Sequence, residues 1–175
     1  NQKISLWVFE NGEERLVDSV TTLDGNFELW TDTKELREYV LDIGTTRELI
    51  YLFPDESSET IELTGTYPGL AANYDVSGDQ NTKDYRDYQM FLNGHLVQEN
   101  SIKSQLDVTL GGEAKESLLA ELDSIGLIQK AYAIDYINEK PGSPVSWIML
   151  QEFYPPSGLA AFDSTDLDYF DKVEI

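Results

Sequence analysis

In the first part of the chain, apolar and polar residues alternate with a period of two, which is typical of β-strands that bury one face. The clearest run alternates two sets of three residues, Ile4, Leu6 and Val8 against Ser5, Trp7 and Phe9. Asn11-Gly12 follows, and this pair supplies the positive φ angles of a tight turn. We therefore expect a second strand over residues 15–21 to complete a hairpin.

A second turn signal, Asp24-Gly25, precedes another alternation, with Phe27 and Leu29 on one face and Glu28 and Trp30 on the other. Further apolar runs that are rich in strand-forming residues occupy positions 39–43, 49–53 and 60–63. Turn signals recur about every ten residues, a spacing typical of an all-β sandwich or small barrel. The pattern predicts an antiparallel β-sandwich of about seven strands over residues 1–78.

After Gly78 the apolar period changes to that of a helix. One stripe at helical spacing contains Tyr85, Tyr88, Leu92, His95, Leu96, Ile102 and Leu106. Asn81 or Thr82 could cap the start of this helix with a side-chain oxygen. Gly111-Gly112 is expected to end it and to begin the turn of a helical hairpin.

The second helix of the hairpin is predicted from another stripe, formed by Leu118, Leu122, Ile125, Gln129, Tyr132 and Tyr136. Lys140-Pro141-Gly142 should end it, and Ser143-Pro144 should start a third helix, since serine suits the N-cap and proline the first helical position. Thr165 predicts one more short helix. The fold class is thus α+β, with a helical linker region over residues 79–175.

Acidic residues dominate the charge of the chain: 33 acidic against 12 basic residues give a formal net charge of −21, shared almost equally by the two halves. Such a surface repels nucleic-acid phosphates and anionic lipids, so no nucleic-acid partner is expected. Cysteine is absent, which excludes a disulfide or thiol nucleophile in these 175 residues. No run approaches the roughly 18 apolar residues of a transmembrane helix, so no transmembrane segment is expected.

Three stretches, in this order, resemble the N-terminal β-domain of bacterial TlpA/ResA-like thiol–disulfide oxidoreductases, a domain of unknown function. The first comprises residues 16–20 and 24–29, which resemble a D-S … D-G-x-F hairpin. The second is Val76-Ser77-Gly78, followed by Asn81, Tyr85 and Phe91, at the entry to a linker helix. The third, residues 141–146, resembles an N-P-x-S-P-V-S helix start, with Lys140 where asparagine is usual.

The resemblance implies a non-catalytic module that positions a C-terminal thioredoxin-like domain or docks its protein partners. It also implies a place in the bacterial cell envelope, in the periplasm or as an outer-membrane lipoprotein. Because the chain starts at Asn1 without an apolar leader and ends at Ile175 within a helical pattern, we expect the signal segment and redox domain to lie outside it. No catalytic, cofactor-binding or metal-binding residue is carried over.

Other chemistry has weaker signals. His95 is the only histidine, and a lone imidazole on an apolar stripe is typical of a packed side chain. Two pairs of acids could in principle support a carboxylate-based hydrolase: Asp18 with Asp24, and Asp84 with Asp87. The run Asp163, Asp166, Asp168 and Asp171 suggests calcium, but an EF-hand loop would need glycine where Asp168 stands.

Trp30 is the residue that most favours a different class of function. It lies opposite Phe27 and Leu29 in the alternation, so its ring is expected at the surface, where it could stack against a sugar or a peptide. A stand-alone cell-surface module that binds glycan or peptide is therefore the main alternative to the redox-associated module. Burial of Trp30 would remove this alternative.

Overall fold

The computed structural model describes residues 2–10, 12–32, 36–109, 111–153, 166 and 168–173. In these residues the fold is α+β, with six strands in two antiparallel sheets, four α-helices and one 3₁₀ turn. The chain divides into two compact units, Asn1–Asp87 and Tyr88–Ile175, and the division falls within the first helix. No helix of the described residues is both long and apolar enough to cross a membrane.

The elements of the strand-rich unit are β1 Gln2–Glu10, β2 Glu13–Thr22, β3 Tyr39–Ile43, β4 Glu48–Leu52, β5 Glu62–Gly65, the 3₁₀ turn Leu70–Ala72 and β6 Tyr74–Ser77. The helices are α1 Gln80–Val108, α2 Glu113–Glu139, α3 Pro144–Phe153 and α4 Asp168–Lys172. The first turns of α1 therefore belong to the strand-rich unit, and the rest of the helices belong to the second unit.

The main sheet has the strand order β2-β1-β3-β4, and every neighbouring pair is antiparallel. Glu10 pairs with Glu13 across the β1–β2 turn, where Gly12 has φ 83°, so the predicted hairpin is confirmed and Asn11 itself lies outside the described residues. As the alternation predicted, Ile4, Leu6 and Val8 are buried. A β-bulge at Val17 shifts the register between β1 and β2.

One core unites both sheets. It is formed by Ile4, Leu6, Val8, Tyr39, Leu41, Ile43, Ile50, Leu52, Leu70 and Tyr74, with Leu63 and Val76 of β5 and β6 packed against it. The two-stranded sheet therefore faces the same side of the main sheet that buries β1, β3 and β4. Burial of apolar surface at about 25 cal/mol per Å² is the main force that holds these layers together.

The prediction of about seven strands was wrong for the described residues, and no closed sandwich is present in them. The segment around Phe27 and Leu29 alternates in burial as a strand would, and both side chains pack against the core, but it pairs with none of the described strands. The backbone N–H of Trp30 donates instead to the Asp18 carboxylate at 3.0 Å. A side-chain acceptor thus takes the place of a ladder partner.

The cap of α1 also differs from the prediction. The Oδ1 atom of Asp79 accepts from the Thr82 backbone N–H at 2.6 Å, so Asp79 is the capping residue. The two predicted caps bind the end of β4 instead: the Thr82 hydroxyl accepts from the N–H of Phe53 at 2.9 Å, and the Asn81 amide donates to Asp55 at 3.2 Å. These bonds fix the first turn of α1 to the strand-rich unit.

The predicted glycine break between the first two helices and the predicted start of the third helix are confirmed. Gly111 and Gly112 have positive φ angles and separate α1 from α2, whose contacts run antiparallel: Phe91 stacks on Tyr132 and Glu99 binds Gln129. The Ser143 hydroxyl accepts from the Val145 N–H at 3.2 Å, and α3 begins at the intervening proline as expected. The predicted cap Thr165 lies outside the described residues, and α4 begins at Asp168.

Candidate interaction surface

Trp30 is 76% exposed, as the alternation predicted, and its backbone N–H is tied to the rest of the unit through Asp18. The other two tryptophans are placed differently. Trp7 is half-buried in β1, and Trp147 is 37% exposed on α3. An indole as exposed as that of Trp30 is accessible to a ligand, so the binding alternative is retained.

The carboxylates of the first hairpin hold backbone rather than line a cleft. Asp18 accepts from Ser19 N–H at 2.8 Å as well as from Trp30. Asp24 accepts from the N–H of Asn26 at 3.1 Å, and this bond is the largest cause that lowers the pKa of the Asp24 carboxyl. Both carboxylates are thus occupied by backbone donors, and the lowered pKa of Asp24 is the opposite of the raised pKa that a general acid needs.

The second acid pair has structural contacts too. Asp84 is buried and accepts from the Gln80 amide at 2.7 Å, one turn earlier in α1. Asp87 accepts from Arg86 at 2.8 Å, and the same guanidinium donates to the Tyr74 carbonyl and to Asp75, both at 2.8 Å. Arg86 thereby joins α1 to β6, and Asp87 serves as one of its counter-ions.

The helical unit contains buried polar groups that the sequence pattern did not reveal. Tyr88 is fully buried and its hydroxyl donates to the carboxylate of Glu152, whose pKa burial raises. Gln129 is also buried; its amide N–H donates to Glu99 at 2.7 Å, while its Oε1 has no hydrogen-bond partner among the described residues. Tyr88 and Gln129 lie on the stripes predicted for α1 and α2, so helical spacing predicts their burial but not their hydrogen bonds to Glu152 and Glu99.

His95 and Asp166 likewise occupy packed positions, whereas Asp168 and Asp171 of the aspartate run are exposed. His95 is half-buried and its ring meets Phe91 edge-on, with centroids 5.1 Å apart. Asp166 pairs with Lys130 of α2 in a largely buried ion pair. Asp163 lies outside the described residues, and within them no three histidine or acidic side chains are grouped so that they could hold a metal ion.

A continuous apolar row crosses the main sheet on the face that is turned away from the core. The strand register places Trp7 directly opposite Leu16 of β2 on one side and Val40 of β3 on the other. Val40 is in turn opposite Tyr51 of β4. The row, Leu16–Trp7–Val40–Tyr51, therefore spans all four strands, and we call it the outer row. An antiparallel sheet that faces water normally carries polar residues at such positions.

The outer row is open at one end. Tyr51 is covered by an edge-on contact with Tyr85 of α1, whose ring centroid lies 5.8 Å away. Exposure increases towards β2, the outermost of the described strands on this side of the sheet, where Leu16 is 44% exposed. Phe9, two residues beyond Trp7 on the same face of β1, is 55% exposed. Large apolar side chains that are grouped and accessible in this way mark interaction surfaces.

Acidic side chains border the outer row. Phe9 pairs with Glu14 of β2, and its N–H meets the carbonyl of Glu38, whose pKa is raised by burial. On the other side of the row, Asp42 lies opposite Ser5 and pairs with the exposed Arg47 at 3.3 Å. The row is therefore an apolar centre with a mainly acidic rim.

Comparisons with known proteins give no relative for this chain: no protein-family model, no curated protein and no solved structure matches it.

Proposed function

We propose that the chain is the non-catalytic N-terminal module of a bacterial envelope thiol–disulfide oxidoreductase, which positions the redox domain or docks its partners. The observation that carries the proposal is the outer row, because an accessible apolar strip across a rigid sheet suits binding and supplies no acid, base or nucleophile. The hydrogen-bonded roles of the candidate carboxylates support the same view.

The three family-like stretches lie where such a module needs defined geometry. Residues 16–29 form β2, its turn and the segment over the core; Val76–Gly78 lead into α1; residues 141–146 start α3. We also propose that the two sheets are the layers of an incomplete β-sandwich, since both supply side chains to one core. We propose in addition that the β-domain ends near residue 78 and that the helical linker region begins there.

The complete reading frame that contains this chain tests the proposal most simply. We expect a signal segment before Asn1 and a thioredoxin-like region with Cys-x-x-Cys after Ile175. A reading frame that stops soon after Ile175, or that continues into a domain without redox cysteines, would contradict it.

The second candidate is a cell-surface module that binds glycan or peptide through Trp30. The 76% exposure of its ring favours this function. Replacement of Trp30 by alanine should then abolish binding in a glycan-array screen while the same change at Trp147 does not. Absence of any Trp30-dependent ligand in that screen removes this candidate.

A further inference from the structure

We propose that the outer row is the docking site for a segment of another protein that carries apolar side chains flanked by lysine or arginine. The inference rests on the proposed docking function and specifies its surface and the chemistry of its partner. The outer row supplies the apolar centre, and the carboxylates of Glu14 and Asp42 supply the charges that select the partner.

Strand register assembles the apolar centre of this surface. The four residues of the outer row place an apolar side chain on every strand of the main sheet; because Tyr51 is covered by Tyr85, the half-buried ring of Trp7 is the aromatic group of the row that a partner can contact. Rings of tryptophan and tyrosine contribute most of the binding energy in many interfaces. Phe9 and Leu16, which are 55% and 44% exposed, give a partner access to the strip on β1 and on β2, the outermost of the described strands on that side of the sheet.

The charges decide which partner fits. Glu14 is exposed and faces Phe9 directly, and Asp42 on the opposite side is paired with an arginine that is itself 74% exposed. A partner with basic residues beside its apolar ones can neutralise these carboxylates on binding. A second copy of this chain would bring two acidic rims together, each on a molecule of net charge −21, so self-association is disfavoured.

The three tryptophans provide the readout. With 5-fluorotryptophan incorporated, ¹⁹F NMR of the 175-residue protein distinguishes Trp7 in the outer row from Trp30 and Trp147. The probe is a peptide of about ten residues that alternates lysine with phenylalanine and valine, so that its apolar side chains can contact the outer row while its lysines contact the carboxylates beside it. The matched control peptide replaces each lysine by glutamate.

Variants separate docking from simple attraction between opposite charges. Phe9→Glu makes the protein more acidic, so charge attraction would strengthen binding of the basic peptide, whereas docking on the outer row predicts a loss of about tenfold in affinity. Leu23→Glu introduces the same charge at a 79% exposed position after β2 and is the control. Glu14→Lys should lower the affinity for the basic peptide and raise the affinity for the acidic control peptide.

The expected result is a saturable shift of the Trp7 resonance with the basic peptide, lost in Phe9→Glu and kept in Leu23→Glu. Three outcomes overturn the inference: a shift at Trp30 or Trp147 without one at Trp7, equal binding of the acidic peptide, or undiminished binding by Phe9→Glu. Concentration-dependent dimerisation that Phe9→Glu abolishes would overturn it as well, by assigning the surface to a second copy. None of these results depends on the sequence beyond Ile175, so failure here is distinct from failure of the proposed function.

Discussion

Asp79 joins the start of α1 to the loop that connects β4 to β5. One carboxylate oxygen accepts from the Thr82 N–H at 2.6 Å and the other accepts from the Ser58 hydroxyl at 2.5 Å. The residue is 7% exposed, so water cannot easily replace either bond. A buried carboxylate that accepts hydrogen bonds from both a helix N-terminus and a loop hydroxyl should contribute more to stability than an exposed helix cap.

Asp79→Ala should therefore lower the free energy of unfolding by about 2 kcal/mol, at the upper end for a lost helix cap. Asp79→Asn is the matched control, because an amide oxygen can still accept from the Thr82 N–H. Its free energy of unfolding should fall by clearly less than that of Asp79→Ala. Urea denaturation followed by circular dichroism measures both. Equal losses for the two variants, or no loss for alanine, would contradict this role of Asp79.

Glu152 predicts a pH dependence with a defined sign. Burial raises its pKa above the ordinary value of 4.5, and the hydrogen bond from Tyr88 opposes that rise. The fold therefore favours the protonated form, so the group's contribution is complete below the unfolded pKa and is lost as pH rises through the folded pKa. Glu152→Gln cannot ionise, so its stability relative to the wild type should increase from acid to neutral pH.

Urea denaturation of both proteins at several pH values between about 4 and 7 measures this difference. Tyr88→Phe is a companion variant: without the hydroxyl that lowers the pKa of Glu152, the loss of stability should extend to higher pH. A difference between Glu152→Gln and the wild type that stays constant over this range would contradict the burial of an ionisable Glu152.

At the scale of the elements, alanine substitutions of two glycines, one on each side of the start of α1, should change stability in opposite directions. Gly78 has φ 86°, and a Cβ there would lie 1.9 Å from the Thr60 carbonyl oxygen. Gly94 lies inside α1 with nothing near its Cβ position. Gly78→Ala should destabilise strongly, whereas Gly94→Ala should stabilise by about 1 kcal/mol through helix propensity. Thermal denaturation checks both, and destabilisation by Gly94→Ala would contradict the open helical position.

Two helix boundaries were predicted well from the sequence because each has a local signal. Gly111-Gly112 and Ser143-Pro144 mark ends that depend on a few neighbouring residues, and the structure confirms both. The segment around Leu29 was predicted wrongly as a strand, since alternating burial also arises when a non-strand segment covers a core. The hydrogen-bond acceptor of the Trp30 N–H is not a neighbouring strand but the side chain of Asp18, twelve residues away in the sequence.

The outer row was missed for a related reason. Trp7, Leu16 and Val40 become neighbours only through the strand order and the register shift at Val17, neither of which alternation along one strand can reveal. Trp30 was predicted correctly as exposed because its face follows from its own segment. The sequence thus identified an isolated exposed ring but not a surface assembled from several strands.

For the whole molecule, the net charge of −21 has a measurable consequence. Repulsion among carboxylates opposes the compact state, and added salt screens it. Raising NaCl from about 0.01 M to about 0.5 M should therefore increase the free energy of unfolding, and the midpoint in urea should move upwards. Urea is the suitable denaturant because it adds no charge. A midpoint that falls with salt would show that ion pairs such as Lys130–Asp166 outweigh the repulsion.

The strand-rich unit, on the proposal made above, acts by docking a partner through its outer row. On the same proposal the full-length protein is a thiol–disulfide oxidoreductase, so its steady-state kinetics test this role, with a basic disulfide-bonded protein and glutathione disulfide as the two substrates. Phe9→Glu should raise KM for the basic protein by about tenfold and leave kcat and the turnover of glutathione disulfide unchanged. An unchanged KM, or equal losses with both substrates, would contradict docking through the outer row.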